Sequence, residues 1–267
     1  MIRIRLASPD VEAAYGSSAH CCRFDITADI ESVDRVLEVA LKVNLDTGAI
    51  VYIDDPQARA LSVDPYHELR RIFFDSIAGQ VNPGKVVEIG ARARSGNVIR
   101  NLLPPGVEYV GADIMTGPNV DVVCDAHNLS DYFDRNSVDA IFSVSVFEHL
   151  LMPWKVALEM NKVLKPGGLL LTMTHQSFPP HDQPWDFWRF TDQSWHGLFN
   201  KFTGFEVLKT AMGEPLEMVA NIVTKVTKGF ADAPGYAGSA AICRKVSETA
   251  LSWPANLGDI ISTAYPK

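Results

Sequence analysis

Acidic and imidazole side chains recur in this sequence at the ends of apolar, strand-like segments. Such groups bind hydroxyls and amines, and they can accept or donate a proton near neutral pH. The carboxyl ends of parallel strands meet at one edge of an open α/β sheet, where ligands bind, so we expect these side chains to surround one site. They are Glu88, Asp113, Asp125, Glu148, His149 and His175.

The carboxylates Asp113 and Asp125, at two successive strand ends, indicate the kind of ligand. One carboxylate can accept hydrogen bonds from both hydroxyls of a ribose, and the other can accept one from an exocyclic amine. A phosphate group would instead require cations at these positions. The pattern therefore predicts a nucleoside ligand with little or no phosphate.

A glycine turn follows the first of these strands. Val86, Val87 and Ile89 are apolar and β-branched, as in a buried parallel strand, and Gly90 allows a tight turn that a ligand can approach closely. Ser95 can cap a following helix, which Pro104 would end. This is the first half of a nucleotide-binding unit, although Arg92 occupies the second glycine position of the dinucleotide pattern Gly-x-Gly-x-x-Gly.

Strands and helices alternate through the middle of the chain. A helix that begins at Pro65 precedes the first strand, and a helix over 153–164 precedes an almost wholly apolar strand over 169–174. This alternation predicts a parallel sheet with helices on both faces. Further predicted strands cover 108–113, 120–124, 138–144, 205–209 and 239–246, and further predicted helices cover 191–200 and 216–227.

Residues 1–60 read as a small β appendage to a main domain over 61–267. Apolar and basic residues alternate from Ile2 to Leu6, and the segments 39–45 and 49–53 flank a polar turn that is typical of a hairpin. The appendage either packs on the main domain, covers the substrate or supports a homodimer. The sequence leaves these three roles open.

Composition narrows the class of protein. The 267 residues carry a net charge of −8, which argues against a dedicated nucleic-acid binder because such proteins show a basic face. The four cysteines have no zinc-site spacing, and we expect no metal site and a reducing compartment. No signal peptide or membrane-spanning run is evident, so a cytoplasmic location without membrane association is expected.

Several motifs in order resemble those of class I S-adenosylmethionine-dependent methyltransferases, of the small-molecule type with a Leu-Lys-Pro-Gly-Gly turn. The resemblance rests on Val87–Gly90, Asp113, Asp125–Ala126, Phe147–Leu150 and Leu164–Gly168, and it extends over about residues 65–210. It implies an α/β fold with a Rossmann-like, seven-stranded, mostly parallel sheet. It also implies an enzyme whose cofactor is S-adenosyl-L-methionine.

The resemblance assigns parts of the cofactor to particular residues. Asp113 would hold the ribose, Asp125 the adenine amine, the Gly90 loop the methionine moiety, and the backbone around Ser143 the amino group. Arg92 departs from the usual glycine and either pairs with the methionine carboxylate or is a solvated loop residue. The predicted cofactor-binding residues are Glu88, Gly90, Ala91, Arg92, Asp113, Ile114, Asp125, Ala126, His127 and Ser143.

The acceptor is expected beneath the loop that follows the strand over 169–174. We define residues 176–192 of this loop as the lid; it is rich in aromatic, histidine and aspartate residues. Its rings either exclude water from the acceptor or only pack on the sheet. The predicted catalytic residues are His175, His181 and Asp182, and the predicted substrate-binding residues are His149, Trp185, Asp186, Trp188 and Arg189.

These features predict methyl transfer by in-line displacement, with a His/Asp base, to a small molecule, first a hydroxyl of a sugar or secondary metabolite. RNA or protein methylation is an alternative, disfavoured by the acidic charge. A nicotinamide oxidoreductase is opposed by the broken glycine pattern. A non-catalytic methyltransferase-like subunit stays open because of Arg92, although Asp113 and Asp125 oppose it.

Overall fold

A computed structural model describes residues 41–44, 50–53, 64–79, 84–94, 96, 98–216, 218, 224–227 and 235–262. The chain forms two compact units, Met1–Ser62 with Val219–Phe230, and Val63–Met218 with Ala231–Lys267. Within the first unit, β1 (Leu41–Asn44) pairs antiparallel with β2 (Ile50–Ile53), which confirms the predicted hairpin. The strand expected over Ile2–Leu6 lies outside the described residues, and the domain boundary at residue 60 stays a prediction.

The larger unit is built on a seven-stranded sheet in the order β5-β4-β3-β6-β7-β9-β8. The first five strands in that order are parallel, whereas β9 runs antiparallel to both β7 and β8. The predicted mostly parallel, Rossmann-like sheet is therefore confirmed. Its strands are β3 (Lys85–Ile89), β4 (Glu108–Asp113), β5 (Val122–Val123), β6 (Val138–Val144), β7 (Leu164–His175), β8 (Phe205–Leu216) and β9 (Gly235–Lys245).

Helices cover both faces of this sheet. On one face α1 packs Leu69, Phe73 and Ile77 against apolar residues of the central strands. On the other face α2 and the turn that starts at Phe147 form a second core, which the short α3 completes through Trp195. The helices are α1 (Pro65–Ala78), α2 (Pro153–Val163), α3 (Ser194–Leu198) and α4 (Leu257–Ile260), and 3-10 turns cover Ile99–Leu102, Ala126–Asp131 and Phe147–His149.

The start of α1 agrees with the sequence prediction. The carboxylate of Asp64 accepts a hydrogen bond of 2.9 Å from the backbone N–H of Tyr66, and Pro65 occupies the first helical position. Proline is favoured there because its fixed φ suits a helix and its missing N–H has no helical partner.

Nowhere in the described part of the chain is there a helix of the length and apolar character needed to span a bilayer.

Two predicted helices are wrong in the described residues. After the glycine turn the chain forms only the 3-10 turn Ile99–Leu102, because Pro104 and Pro105 follow at once and disfavour helical backbone before them. Leu216, the expected start of the second helix, ends β8, and residues 225–227 form a turn. The rest of that predicted helix lies outside the described residues.

The turn expected at Leu164–Gly168 is part of β7. Leu164 pairs with Val138 and Leu169 pairs with Ala140, so the residues between them bulge out of the ladder. Gly167 adopts φ +79°, a value that a residue with a side chain adopts only at a cost. The bulge lets the chain leave α2 and enter the central sheet within a few residues.

Candidate active site

A cavity of about 870 Å³ opens where the parallel strands end. Most of the residues predicted from the sequence line it, but Ser143, Asp186, Trp188 and Arg189 do not. The predicted residues that line it are Glu88, Gly90, Ala91, Arg92, Asp113, Ile114, Asp125, Ala126, His127, His149, His175, His181, Asp182 and Trp185. The strand-end side chains thus share one cavity, as the parallel topology predicts.

The turn at Gly90 needs a glycine for two reasons. Its φ is +81°, and a Cβ built there would lie 2.1 Å from Cγ2 of Val146. The N–H groups of Gly90 and Ala91 both donate to the carbonyl of Ala112, at 2.8 and 3.1 Å. The turn is therefore clamped between β4 and the end of β6, with no space for a side chain.

The carboxylate of Asp113 is oriented by two backbone groups. Oδ2 accepts a hydrogen bond of 3.2 Å from Arg92 N, and Oδ1 accepts one of 2.9 Å from Met115 N. A carboxylate has about four lone-pair sites, so each oxygen can accept a further hydroxyl donor. The side chain is consequently fixed in place at the end of β4 with acceptor capacity left over.

Asp125 and His127 form a buried pair next to it. His127 donates to Asp125 Oδ1 from its backbone N–H at 2.9 Å and from Nδ1 at 2.7 Å. The Nε2 atom accepts from Met152 N at 3.2 Å, which identifies the tautomer protonated on Nδ1. Burial raises the pKa of Asp125, but the hydrogen bonds from His127 outweigh this effect and hold the pKa below its usual value.

Glu88 is tied to the neighbouring strand. It is buried and accepts hydrogen bonds from the Tyr109 hydroxyl and, at 3.4 Å, from Asn119 Nδ2. Burial raises its pKa, which the hydrogen bond from Tyr109 opposes. Asn119 also donates to the carbonyl of Ala91 at 2.9 Å. Glu88 thus connects β3 to β4 beneath the glycine turn.

Two arginines of the glycine loop differ in surroundings. The Arg92 side chain runs beside Gly117, where a Cβ would come within 2.8 Å of Arg92 Cγ, and its Nε has no hydrogen-bond partner among the described residues. Arg94 instead makes a two-pronged ion pair with Asp182 in the lid, at 2.6 and 3.2 Å. The predicted catalytic residue Asp182 therefore joins the lid to the glycine loop.

Four ionisable side chains converge at the other end of the cavity. The carboxylate of Glu148 is completely buried, and its Oε1 lies 3.2, 3.8 and 3.9 Å from Nε2 of His175, His149 and His181. Its other oxygen accepts a hydrogen bond from Thr174. Oε1 itself has no hydrogen-bond partner among the described residues, since even the close His175 pair lacks hydrogen-bond geometry.

Burial shifts the pKa values of two members of this cluster, Glu148 and His175. It raises the pKa of Glu148, although the hydrogen bond from Thr174 opposes the change. It lowers the pKa of His175 to about 4, and nearby His181 contributes in the same direction. His175 is therefore neutral at physiological pH, with its ring stacked on Phe178 at a centroid distance of 4.0 Å.

The remaining predicted lid residues support the cavity from outside it. Asp186 and Arg189 form a two-pronged ion pair at 2.5 and 2.8 Å, and this hydrogen-bonded pairing holds the pKa of Asp186 well below its usual range. Trp188 donates from Nε1 to the carbonyl of Leu150 at 2.8 Å. Ser143 is fully buried on β6, and its hydroxyl has no partner within the described structure.

The sequence places Glu148 at a strand end but assigns it no binding or catalytic role, because a carboxylate at the start of a short helix is typical of local capping. The available signal was the spacing. Glu148 follows the fourth parallel strand and His175 ends the fifth, and adjacent strand ends meet in space. Lining residues that were not predicted include Arg70, Ile99, Val146, Leu150, Phe178 and Leu257.

Comparison with known proteins finds one matching family model and several similar solved structures. Residues 88–172 match the family model described as a methyltransferase domain. No curated protein matches the chain.

Solved structures that align with this chain share little sequence with it. A SAM-dependent methyltransferase from Archaeoglobus fulgidus is 16% identical over 67% of this chain and 92% of its own, with a TM-score of 0.49. The YcgJ protein from Bacillus subtilis is 16% identical over 68% and 99%, with a TM-score of 0.48. A SAM-dependent methyltransferase from Aquifex aeolicus is 15% identical over 73% and 95%, with a TM-score of 0.46.

Proposed function

We propose that this protein, a class I S-adenosylmethionine-dependent methyltransferase, transfers the methyl group of its cofactor to a hydroxyl oxygen of a small molecule. The observation that carries the proposal is the division of one cavity into two chemically different ends. Fixed carboxylates, Asp113 and Asp125, line one end, and three histidines, His149, His175 and His181, which surround the buried carboxylate of Glu148, line the other.

The carboxylate end suits the adenosyl part of the cofactor. Asp113 keeps acceptor capacity for the two ribose hydroxyls, and Asp125 lies one strand further along for the adenine amine. The turn of Gly90, Ala91 and Arg92 lines the cavity and is the place proposed for the methionine part. S-adenosylmethionine carries no phosphate, so its site does not require the cations and free N–H groups that bind a phosphate.

The histidine end suits an acceptor that must lose a proton. A hydroxyl oxygen attacks the methyl carbon in line with the carbon–sulfur bond, the carbon–oxygen bond forms, and S-adenosylhomocysteine leaves. The hydroxyl proton passes to His175, whose neutral imidazole can accept it and whose Nε2 lies 3.2 Å from Oε1 of Glu148. An amine acceptor would have less need of such a cluster.

A small acceptor is favoured by the size of the cavity. Its volume of about 870 Å³ is within the range of small-molecule pockets, about 300–1,000 Å³, and must hold both substrates. His181 and Trp185 of the lid line the histidine end.

Transfer of a radiolabelled methyl group from S-adenosylmethionine tests this proposal. The purified protein is incubated with separate pools of sugars, phenols, hydroxylated metabolites, amines, bulk RNA and unfolded protein, and products are identified by mass spectrometry. We expect label only in hydroxylated small molecules, as an alkali-stable ether. Label in RNA, protein or amines, without label in any hydroxylated compound, would overturn the assignment.

His175→Gln is the matching variant for the proposed base. It should bind S-adenosylmethionine normally but lower turnover by at least about 100-fold, the lower end of the usual contribution of a general base. His196→Gln, in α3 and away from the cavity, is the control. Equal turnover of the two variants would remove His175 from the reaction.

A further inference from the structure

We propose that Glu148, His149 and His181 bind a divalent transition-metal ion at the histidine end of the cavity. The three side chains each offer one ligand atom, and these atoms lie within 4.8 Å of one another. They come from two segments, the turn Phe147–His149 and the lid, so an ion between them would join these segments. Only its role in the reaction rests on the proposed function; its binding does not.

The hydrogen bonds of the two histidines orient acceptor nitrogens toward Glu148. Nδ1 of His149 lies 2.5 Å from the carbonyl of Trp185, and Nδ1 of His181 lies 3.2 Å from the carbonyl of Pro179. A carbonyl oxygen only accepts, so both histidines donate from Nδ1 and present the Nε2 lone pair on the opposite side of the ring. Histidine ligands of metals characteristically donate their other ring N–H in this way.

Three lone-pair atoms therefore face one another in a buried place. Glu148 Oε1 lies 3.8 Å from His149 Nε2 and 3.9 Å from His181 Nε2, and it has no hydrogen-bond donor among the described residues. A buried carboxylate oxygen without a donor is costly, and a cation among the three acceptors would remove that cost. The three acceptor atoms thus lack a positive charge and a hydrogen-bond donor between them, and a metal ion would supply the positive charge.

The distances are close to those of a formed site. With metal–ligand bonds of about 2.0–2.1 Å, two ligand atoms at a tetrahedral angle lie about 3.3 Å apart. The separations from Glu148 Oε1, 3.8 and 3.9 Å, are roughly half an ångström longer, and all three ligand atoms lie within 4.8 Å of one another, so rotations of the side chains must close the site around the ion. His175, at 3.2 Å from Oε1, is near enough to act on a group bound to the ion.

The ligand types indicate which ion is expected. Imidazole nitrogen suits zinc, iron, nickel and copper, whereas magnesium and calcium prefer sites made only of oxygen. Three protein ligands leave a coordination position open, as in catalytic sites. Under the proposed function that position would take the acceptor hydroxyl, and the ion would ease loss of its proton to His175.

Metal analysis of the whole protein tests the site independently of activity. The chain is purified with a tag that contains no histidine, stripped with a chelator and dialysed, and then titrated with zinc chloride and with magnesium chloride by calorimetry. Inductively coupled plasma mass spectrometry measures retained zinc after desalting. We expect one zinc ion per chain, much weaker magnesium binding, and visible d–d absorption of a coordinated ion when cobalt(II) replaces zinc.

Two ligand variants and a surface control locate the ion. His181→Gln, on the partly exposed lid, and Glu148→Gln should each weaken zinc binding by at least about 10-fold, whereas His67→Gln should not. His67 is a fair control because its Nε2 also pairs with a carboxylate, Glu214, at 3.0 Å on the surface. His181→Gln keeps the test valid if Glu148→Gln does not fold.

The outcomes separate this inference from the proposed function. Absence of stoichiometric zinc, or equal zinc binding by wild type, His181→Gln and His67→Gln, would overturn the metal site. Normal binding of S-adenosylmethionine in that case would leave the methyltransferase assignment intact. Zinc bound through Glu148 and His181, in a protein that methylates no hydroxylated compound, would instead overturn the proposed function alone.

Discussion

The polar side chains of the cavity are oriented mainly by backbone groups. Asp113 accepts from two backbone N–H groups, Asp125 accepts from His127 N, and His149 and His181 each donate to a carbonyl. Backbone partners cannot rotate away as flexible side chains can. The functional atoms are therefore positioned before any ligand arrives, which reduces the free-energy cost of ordering them on binding.

Asp113→Ala should weaken binding of S-adenosylmethionine by about 1.5–3 kcal/mol, the usual contribution of hydrogen bonds to a charged group. The physical reason is the loss of the acceptor for the ribose hydroxyls. Calorimetric titration measures the effect, and a thermal melt shows whether the fold survives the loss of the Arg92 and Met115 hydrogen bonds. Asp75→Ala, an exposed carboxylate on α1, is the control for charge; an unchanged affinity for Asp113→Ala would refute the ribose assignment.

Gly90→Ala should lower both stability and cofactor affinity. The added Cβ would lie 2.1 Å from Val146 Cγ2, which is a steric clash. The left-handed backbone costs a residue with a side chain about 1–2 kcal/mol more. Gly96→Ala is a matched control, because Gly96 has φ +78° but nothing within 4 Å of the added Cβ. Chemical denaturation should show a larger loss for Gly90→Ala, and Val146→Ala should recover part of it. Equal losses for the two glycine variants would mean that backbone strain alone explains the turn.

At the scale of elements, the lid is held at two places by charged pairs. Arg94 and Asp182 connect it to the glycine loop, and Asp186 with Arg189 closes the lid on itself. In addition, the N–H groups of Phe187 and Trp188 donate to the carbonyl of Glu148 at 2.8 and 3.2 Å. The acceptor end and the cofactor loop are consequently linked through the lid.

A double-mutant cycle of Arg94→Gln and Asp182→Asn distinguishes a bridging role of Asp182 from a catalytic one. If Asp182 only bridges, each single variant should raise KM by a similar factor and the double variant should be no worse. Stability should change by about 1 kcal/mol or less, because the pair is partly exposed. Steady-state kinetics with the identified acceptor measure these effects. A far lower kcat for Asp182→Asn than for Arg94→Gln would show that Asp182 takes part in the chemistry.

The buried Lys245 joins β9 to the connection between α2 and β7. Its ammonium donates to the carbonyls of Asn161 and Leu164 at 2.6 and 2.9 Å and pairs with Glu248 at 2.7 Å. Lys245→Met should therefore lower the free energy of unfolding by about 2–3 kcal/mol, since it leaves buried carbonyls without their donor, whereas Glu248 is half-exposed and can be hydrated.

Urea denaturation measures the loss for Lys245→Met. Lys209→Met, an exposed lysine on the adjacent strand β8, should change the free energy of unfolding by less than about 0.5 kcal/mol. Similar stabilities of the two variants would show that the buried hydrogen bonds contribute little.

At the scale of the whole molecule, the sequence predicts the frame of the active site well. The segments 85–89, 108–113 and 138–144 are rich in the apolar and β-branched residues of parallel strands, and the strands have those bounds. The strand-end residues Asp113 and Asp125 then follow from topology, because the ends of parallel strands meet at one edge. For Asp113 and Asp125, the strand pattern and their position at strand ends are sufficient to predict a place in the site.

Other features depend on contacts that the sequence does not display. The helix expected after Gly90 is a single 3-10 turn, since local apolar spacing does not reveal how strongly Pro104 and Pro105 limit it. The cluster around Glu148 brings together residues from a short turn, a strand end and the lid. Separation along the chain conceals it, and only the path of the lid brings His181 within 3.9 Å of Glu148.

Titration of the purified protein with S-adenosylmethionine, S-adenosylhomocysteine and NAD by calorimetry tests the central claim most directly. We expect micromolar, one-to-one binding of both adenosyl ligands and no heat from NAD, because the cavity offers fixed carboxylates for a ribose and an adenine amine but lacks the second glycine of the dinucleotide pattern. No binding of either adenosyl ligand, or clear binding of NAD, would contradict it.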